Sequence, residues 1–279
     1  MYESHWNLNA FPFDNRFDSE FYYPSESHQA ALLKLMYSIE TRRSAALLCG
    51  DSGMGKSMLV EAAIAQLPES ISPVLRVPYP AMPADQLVRY IARQAAPHEP
   101  GETSLDVGAS IEAIERFLKH NLSDGYHALL VIEEAHLLES NGSLAAVRML
   151  LNLASEQSAS ESAWSICLVG NIPIVGHLAR HPELEDRIAV RCVLERFNLD
   201  STVAYIEHRL RSAGSDRQTP FTERALEAIQ LHAAGIPRRI NRLCDMAMMI
   251  GYAQDLQQID ESVIELAQQE LSARIAYAA

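Results

Sequence analysis

The stretch Ala45-Ala46-Leu47-Leu48-Cys49-Gly50-Asp51-Ser52-Gly53-Met54-Gly55-Lys56-Ser57 constrains this chain more than any other. An apolar run turns through three glycines into Met58-Leu59-Val60-Glu61-Ala62-Ala63-Ile64, which has helical composition. The spacing G-x-x-x-x-G-K-S/T is complete from Gly50 to Ser57. Glycines let a backbone curl until several N–H groups point at one anion, and the helix N-terminus that follows adds positive potential. A glycine-rich turn could match by chance, but the flanking strand, the helix and the Lys-Ser pair argue for a phosphate-binding loop. Gly50, Asp51, Ser52, Gly53, Met54, Gly55, Lys56, Ser57 and Met58 are therefore expected to hold a nucleoside triphosphate, ATP. Lys56 would reach the β- and γ-phosphates, and the Ser57 hydroxyl would ligate Mg²⁺.

A length of 279 residues suggests one large or two modest domains, and 48% hydrophobic residues allow a sizeable core. No run approaches the roughly 18 apolar residues of a membrane span. The opening Met1-Tyr2-Glu3-Ser4-His5-Trp6 has no basic region or apolar segment, so it does not read as a signal peptide. Cys49, Cys167, Cys192 and Cys244 are far apart, most of them in apolar runs. They read as reduced, buried thiols of a cytoplasmic protein. The net charge of −13 argues against attachment to nucleic acid by bulk electrostatics, though a local Lys/Arg patch could still bind DNA.

Residues 1–25 are rich in aromatics: Trp6, Phe11, Phe13, Phe17, Phe21, Tyr22 and Tyr23. They read as an ordered arm packed on a domain, with rings that fill core or line an adenine pocket. Ser25 should start a helix running to about Arg43. Val74 to Val77 reads as a strand closed by Pro78 and Pro80. Helices are expected over about 84–95 and 111–122, with a loop over 98–102 between them.

Ala128-Leu129-Leu130-Val131-Ile132-Glu133-Glu134 is an apolar run ending in acids, as a buried parallel strand delivers carboxylates to the C-terminal edge of a sheet. The first acid of such a pair holds Mg²⁺ and is usually Asp; here Glu133 is one methylene longer. Glu134 is placed to polarise the attacking water. A helix over about 144–155 and a small-residue loop over 158–162 follow, then the strand Ser165 to Asn171. Asn171 would orient the lytic water or touch the γ-phosphate; the alternative is a turn-forming role. Arg187, expected to end a helix before a fifth strand over 190–194, could reach a neighbouring subunit's γ-phosphate. Arg191 competes with it, and a surface ion pair with Glu183, Glu185 or Asp186 is the alternative. After about Asn198 no strand-like run remains, and helices are expected at about 200–213, 222–233, 237–253 and 260–273. Arg238, just past Pro237, could lean onto the phosphates, while Arg239 and Arg242 read as helix-surface charges.

This motif order resembles that of AAA+ ATPases, and more narrowly of the ExeA-type (general secretion pathway) ATPases and related transposition ATPases. The carrying residues are Met1-Tyr2-Glu3-Ser4-His5-Trp6-Asn7-Leu8 with Pro12-Phe13, Phe21-Tyr22-Tyr23-Pro24-Ser25, Tyr205-Ile206-Glu207-His208-Arg209-Leu210, and Gly235-Ile236-Pro237-Arg238-Arg239-Ile240-Asn241-Arg242-Leu243-Cys244. The resemblance implies an α/β fold with a five-stranded parallel sheet and a small helical lid. The aromatic arm would be 1–25, the nucleotide-binding domain 26–198 and the lid 199–279. ATP and Mg²⁺ would bind between domains, with Lys56 and Ser57 on the nucleotide, Glu133 on the metal and Glu134 catalytic. Asn171 would be the first sensor, Arg187 the trans-acting finger and Arg238 the second sensor. The chain would form an ATP-dependent homo-oligomer, a ring or filament of hexamer-like form. It would serve a membrane-associated, secretion-type machine through a protein partner, or bind DNA and recruit a transposase. It would be cytoplasmic, peripheral to the inner membrane through that partner. Secretion members often continue into a membrane span and a peptidoglycan-binding domain; neither is read here.

Overall fold

The computed structural model describes residues 2–15, 19–96, 106–156, 162–215 and 219–276. Phe17, the 98–102 loop and most of the 158–162 loop lie outside them. In chain order the elements begin with α1 (Glu3–Trp6), α2 (Glu26–Glu40), β1 (Ala45–Cys49), α3 (Lys56–Ile64) and β2 (Ile71–Val77). There follow α4 (Ala84–Ala95), α5 (Val107–Ser123), β3 (His127–Ile132), α6 (Leu144–Glu156) and β4 (Trp164–Gly170). The chain continues through α7 (Pro173–Ala179), α8 (Pro182–Glu185) and β5 (Ile188–Val193). It closes with α9 (Leu199–Ser212), α10 (Glu223–Ala233), α11 (Pro237–Ala253) and α12 (Glu261–Ala276). Two compact units emerge: one holds His28–Gly50 and Leu59–Leu194, the other Met1–Ser27, Asp51–Met58 and Glu195–Ala279.

The first unit is α/β. Its five strands are all parallel in the order β2-β3-β4-β1-β5. β1, β3 and β4 are buried along their whole length and almost wholly apolar; the buried polar pair His127 and Ser165 hydrogen-bond to each other at 2.9 Å. β5, at one edge, buries Ile188 and Cys192 and exposes Ala189, Arg191 and Val193. Leu87, Val88 and Ile91 of α4, Ile114 and Leu118 of α5, and Val147, Leu150 and Leu151 of α6 share one core with Leu75, Leu130, Ile166 and Leu168 of the strands. β2 starts at Ile71, three residues before the sequence suggests, and its register breaks between Ile71 and Val74. Pro73 has no N–H for the ladder, and an edge strand tolerates that loss. α7 and the four-residue α8 replace the single helix expected before Arg187; the prolines Pro173 and Pro182 each open a new short helix.

Among its described residues the second unit is built mainly of helices, and it takes in residues 51–58, of which Lys56–Met58 open α3. Side-chain oxygens of Asn198 and Thr222 cap α9 and α10 by accepting from Ser201 and Ala225 N–H. Gly235 has φ +69° and its carbonyl accepts from Phe197 N–H at 2.9 Å. A Cβ there would lie 2.1 Å from the Phe197 carbonyl oxygen, so glycine is required before α11 can start. The aromatic arm belongs to this unit's core: Tyr2, Trp6, Phe13 and Phe21 are buried with Tyr205, Phe221, Cys244 and Met248. Trp6 Nε1 donates to the Met248 carbonyl at 3.1 Å. Arg209, 2% exposed, donates from Nε to the Pro12 carbonyl and from Nη2 to the Asp14 carbonyl at 2.6 Å, and its guanidinium sits 4.5 Å from the Phe21 ring centre. All four cysteines are free and buried, and burial raises the thiols of Cys167 and Cys244 and pushes Cys192 up to about 11. Among the described residues no helix is long and apolar enough to cross a membrane.

Candidate functional site

β1 delivers the phosphate loop. The Gly50 N–H donates to the Gly170 carbonyl, continuing the β1–β4 ladder, and the Cys49 carbonyl accepts from Leu194 N–H at 2.8 Å. A Cβ on Gly50 would meet Leu194 Cβ at 3.1 Å and its carbonyl oxygen at 3.2 Å, so a bare backbone is needed where the strand ends. Beyond it Gly53 and Gly55 take φ +88° and +87°, the left-handed turns that curl the loop. Met54 is fully buried and anchors the turn, while Ser52 and Ser57 are exposed and Met58 is half-buried. Lys56 Nζ donates to the Asp51 carbonyl at 2.9 Å. The Asp51 carboxylate pairs with Arg196, Nε to Oδ2 2.6 Å. Arg196 was not singled out in the sequence, where nothing in the spacing ties it to a residue 145 positions away.

The start of α11 closes on this loop. Arg238 N–H donates to the Gly53 carbonyl at 3.2 Å, and a Cβ on Gly53 would lie 2.8 Å from Arg238 Cβ and 3.2 Å from Ile236 Cγ2. The N-terminus of a 17-residue helix, with its positive potential, thus stands at the loop. The Arg238, Arg239 and Arg242 side chains are exposed.

In the sheet unit, β4 lies between β1 and β3, so three strand ends share one edge. Glu133 N–H donates to the Val77 carbonyl at 2.9 Å, one residue past the end of β3, and the side chain is half-buried at that edge. Glu134 follows in the left-handed region, φ 47° and ψ 35°, and is exposed. A non-glycine residue there costs about 1 kcal/mol or more, and such strain gathers at functional sites. Gly170 permits the next contact: a Cβ there would be 3.1 Å from His136 N. Because β4 comes that close, the His136 ring, 19% exposed, lies between Glu134 and Asn171. Asn171 N–H donates to His136 Nδ1 at 3.4 Å, the Asn171 amide is 3.3 Å from Nε2, and Glu134 Oε2 is 3.5 Å from Nδ1. His136 too was missed in the sequence; only the adjacency Glu134-Ala135-His136 hinted at it.

The two arginines near β5 stand apart. Arg187 Nη2 donates to Asn152 Oδ1 at 3.1 Å, whereas Arg191 pairs with Glu185 at 2.8 Å and Glu183 with Arg148 at 3.4 Å. Of the acids considered as ion-pair partners there, Glu185 pairs with Arg191.

Residues 39–176, from the end of α2 into α7, match the family model described as AAA domain. Over those residues the chain is similar to the AAA domain family. The chain is 29% identical over 276 residues to General secretion pathway protein A of Aeromonas hydrophila, an alignment covering 98% of the chain and 49% of that protein. It therefore spans about half the length of this curated relative. Among solved structures, the ORC2 protein of Aeropyrum pernix in ADPNP–ADP complexes superposes with TM-score 0.67 at 15% identity, over 94% of this chain and 72% of that one. The ORC1 protein of the same organism, in complex with DNA, gives TM-score 0.65 at 18% identity, over 88% and 65%. The fold is the AAA+ P-loop fold, with a helical C-terminal region consistent with a lid. The resemblance to ExeA-type ATPases is matched by this similarity to General secretion pathway protein A.

Proposed function

We propose that this chain hydrolyses ATP and uses the nucleotide to control its own assembly, in the service of a secretion-type machine. The observation carrying the reading is the loop itself. Glycines at φ near +90°, the start of α11 packed on Gly53 and the Lys56 ammonium make a cradle fit for a triphosphate. In this reading Gly50, Asp51, Ser52, Gly53, Met54, Gly55 and Met58 supply backbone to the phosphates, and Lys56 their counter-charge. Ser57 and Glu133 have the oxygen donors Mg²⁺ takes, and the bound ion would offset charge on the phosphate oxygens. Glu134 accepts the proton of the attacking water as its oxygen bonds to the γ-phosphorus and the bond to the departing ADP breaks. Asn171 holds the transferred group, Arg238 senses the nucleotide, and Arg187 completes the site of an adjacent subunit.

Residues 26–198 act as the nucleotide-binding domain, 199–279 as the lid and 1–25 as the arm. The chain works in the cytoplasm as a homo-oligomer and reaches the inner membrane through a protein partner. The similarity to General secretion pathway protein A along 98% of the chain supports the secretion setting. Nucleotide between subunits favours the assembled state because it binds that state better.

The test is ATPase rate per subunit against concentration. The rate rises with concentration, Lys56→Ala and Glu134→Gln abolish it, and Arg187→Ala lowers it by roughly 10³. A rate per subunit independent of concentration and untouched by Arg187→Ala would sink the shared-site reading. A second reading, an ATP-dependent DNA-binding transposition regulator, draws on the DNA complex of the Aeropyrum pernix ORC1 protein. It requires salt-dependent DNA binding with ATP, against a net charge of −13. No binding at low salt removes it.

A further inference from the structure

The contact between His136 and Asn171 settles a choice of chemistry that the residue types alone leave open. An asparagine at a strand end can present either its carbonyl, an acceptor, or its NH₂, a donor. Only the donor end suits an anionic phosphate.

The His136 ring makes the choice. Asn171 backbone N–H donates to Nδ1 at 3.4 Å, and a backbone N–H cannot be reversed. Nδ1 must therefore carry a lone pair. A neutral imidazole has one donor and one acceptor nitrogen, so the proton resides on Nε2. The Asn171 amide atom 3.3 Å from Nε2 is placed as Nδ2, an orientation in which both ring nitrogens would have to accept, which a neutral imidazole cannot do. The oxygen and nitrogen of an amide are assigned by the hydrogen bonds they make. A protonated Nε2 needs an acceptor, so the atom facing it is Oδ1 and the NH₂ turns away from the ring. Glu134 fits the same assignment. Its Oε2 is 3.5 Å from Nδ1, and a nitrogen that already accepts from the Asn171 N–H has no proton to give the carboxylate.

We propose that His136 is a positioning residue that fixes the hydrogen-bond polarity of Asn171, so that Asn171 meets the γ-phosphate with its NH₂ while Glu134 stays unbound by the ring. This rests on the functional reading above for its catalytic consequence, but not for the tautomer. Gly170 is part of the device: a side chain there would push β4 away from His136 N, 3.1 Å from its Cβ position, and separate the ring from Asn171.

The first experiment needs no variant. Long-range ¹H–¹⁵N NMR of the nucleotide-free protein should show the neutral His136 ring protonated on Nε2 and bare on Nδ1. The same tautomer should persist in Asn171→Ala, whose backbone N–H is intact. A ring protonated on Nδ1 overturns the proposal. The second experiment is a double-mutant cycle on steady-state ATP turnover, with nucleotide affinity measured separately on a fluorescent ATP analogue. Asn171→Ala should lower kcat by about 10²-fold, as loss of a transition-state donor does. His136→Phe, which keeps ring volume and removes both nitrogens, should lower kcat at least tenfold with affinity unchanged. Adding His136→Phe to Asn171→Ala should cost less than twofold more, since the histidine acts through the asparagine. Multiplicative losses overturn the proposal. The Nε2–H tautomer in a wild-type protein that turns over no ATP overturns the functional reading alone.

Discussion

Replacing Gly53 with alanine isolates the contact that joins the phosphate loop to α11. Alanine at φ +88° carries left-handed strain of about 1–2 kcal/mol. Its Cβ would also sit 2.8 Å from Arg238 Cβ and 3.2 Å from Ile236 Cγ2, and forced overpacking of this kind costs about 1–3 kcal/mol more. Gly125 is the control. It has φ +84°, yet nothing lies within 4 Å of its Cβ position, so Gly125→Ala carries the strain alone. Gly125 precedes β3, at the opposite end of that strand from Glu133. The two variants should differ by the overpacking cost, a further fall in melting temperature of about 2–4 °C per kcal/mol. ATP affinity should drop at least tenfold in Gly53→Ala, where the Arg238 N–H bond to the Gly53 carbonyl is also disturbed, and stay unchanged in Gly125→Ala. Scanning fluorimetry and a fluorescent ATP analogue read both quantities. Equal melting shifts with equal affinities would refute the packing of α11 on the loop.

Arg209→Met removes two charge-assisted bonds to the arm and its stacking on Phe21, roughly 3 kcal/mol in all. The arm should then be cut by a nonspecific protease several times faster than in the wild type; an unchanged rate would show that Arg209 does not hold it. Burial pushes the Cys192 thiol up to about 11, so at pH 8 alkylation of the folded protein should run about 10²-fold slower than in denaturant. The sign for stability follows: above about pH 9 unfolded thiols release protons that the folded chain retains, so thiol ionisation lowers stability as pH rises towards 11. Cys192→Ala should flatten that part of the urea-midpoint profile, and an identical slope would show that Cys192 is not its source.

Local chemistry made the loop, the strand-end acids and the lid helices legible. Glycines at the phosphate-loop spacing, a run of five apolar residues before Glu133, and helical periodicity after Asn198 each declare themselves within about ten residues. What the sequence hid depends on distance. The order that puts β4 between β1 and β3 is a property of three separated strands. His136 gains its role only because Gly170, 34 positions later, lets β4 approach, and Arg196 because the chain returns to Asp51. The boundaries near Arg187 shifted because α8 is a proline-opened four-residue turn too short to show a period.

The central claim is that a glycine cradle with Lys56 binds the triphosphate and Glu134 then breaks it. Single-turnover measurement with γ-labelled ATP and Mg²⁺ tests both halves at once. The account predicts that wild-type protein retains and cleaves the label, Glu134→Gln retains it uncleaved, and Lys56→Ala retains none. Cleavage by Glu134→Gln at the wild-type rate, or full retention by Lys56→Ala, would contradict it.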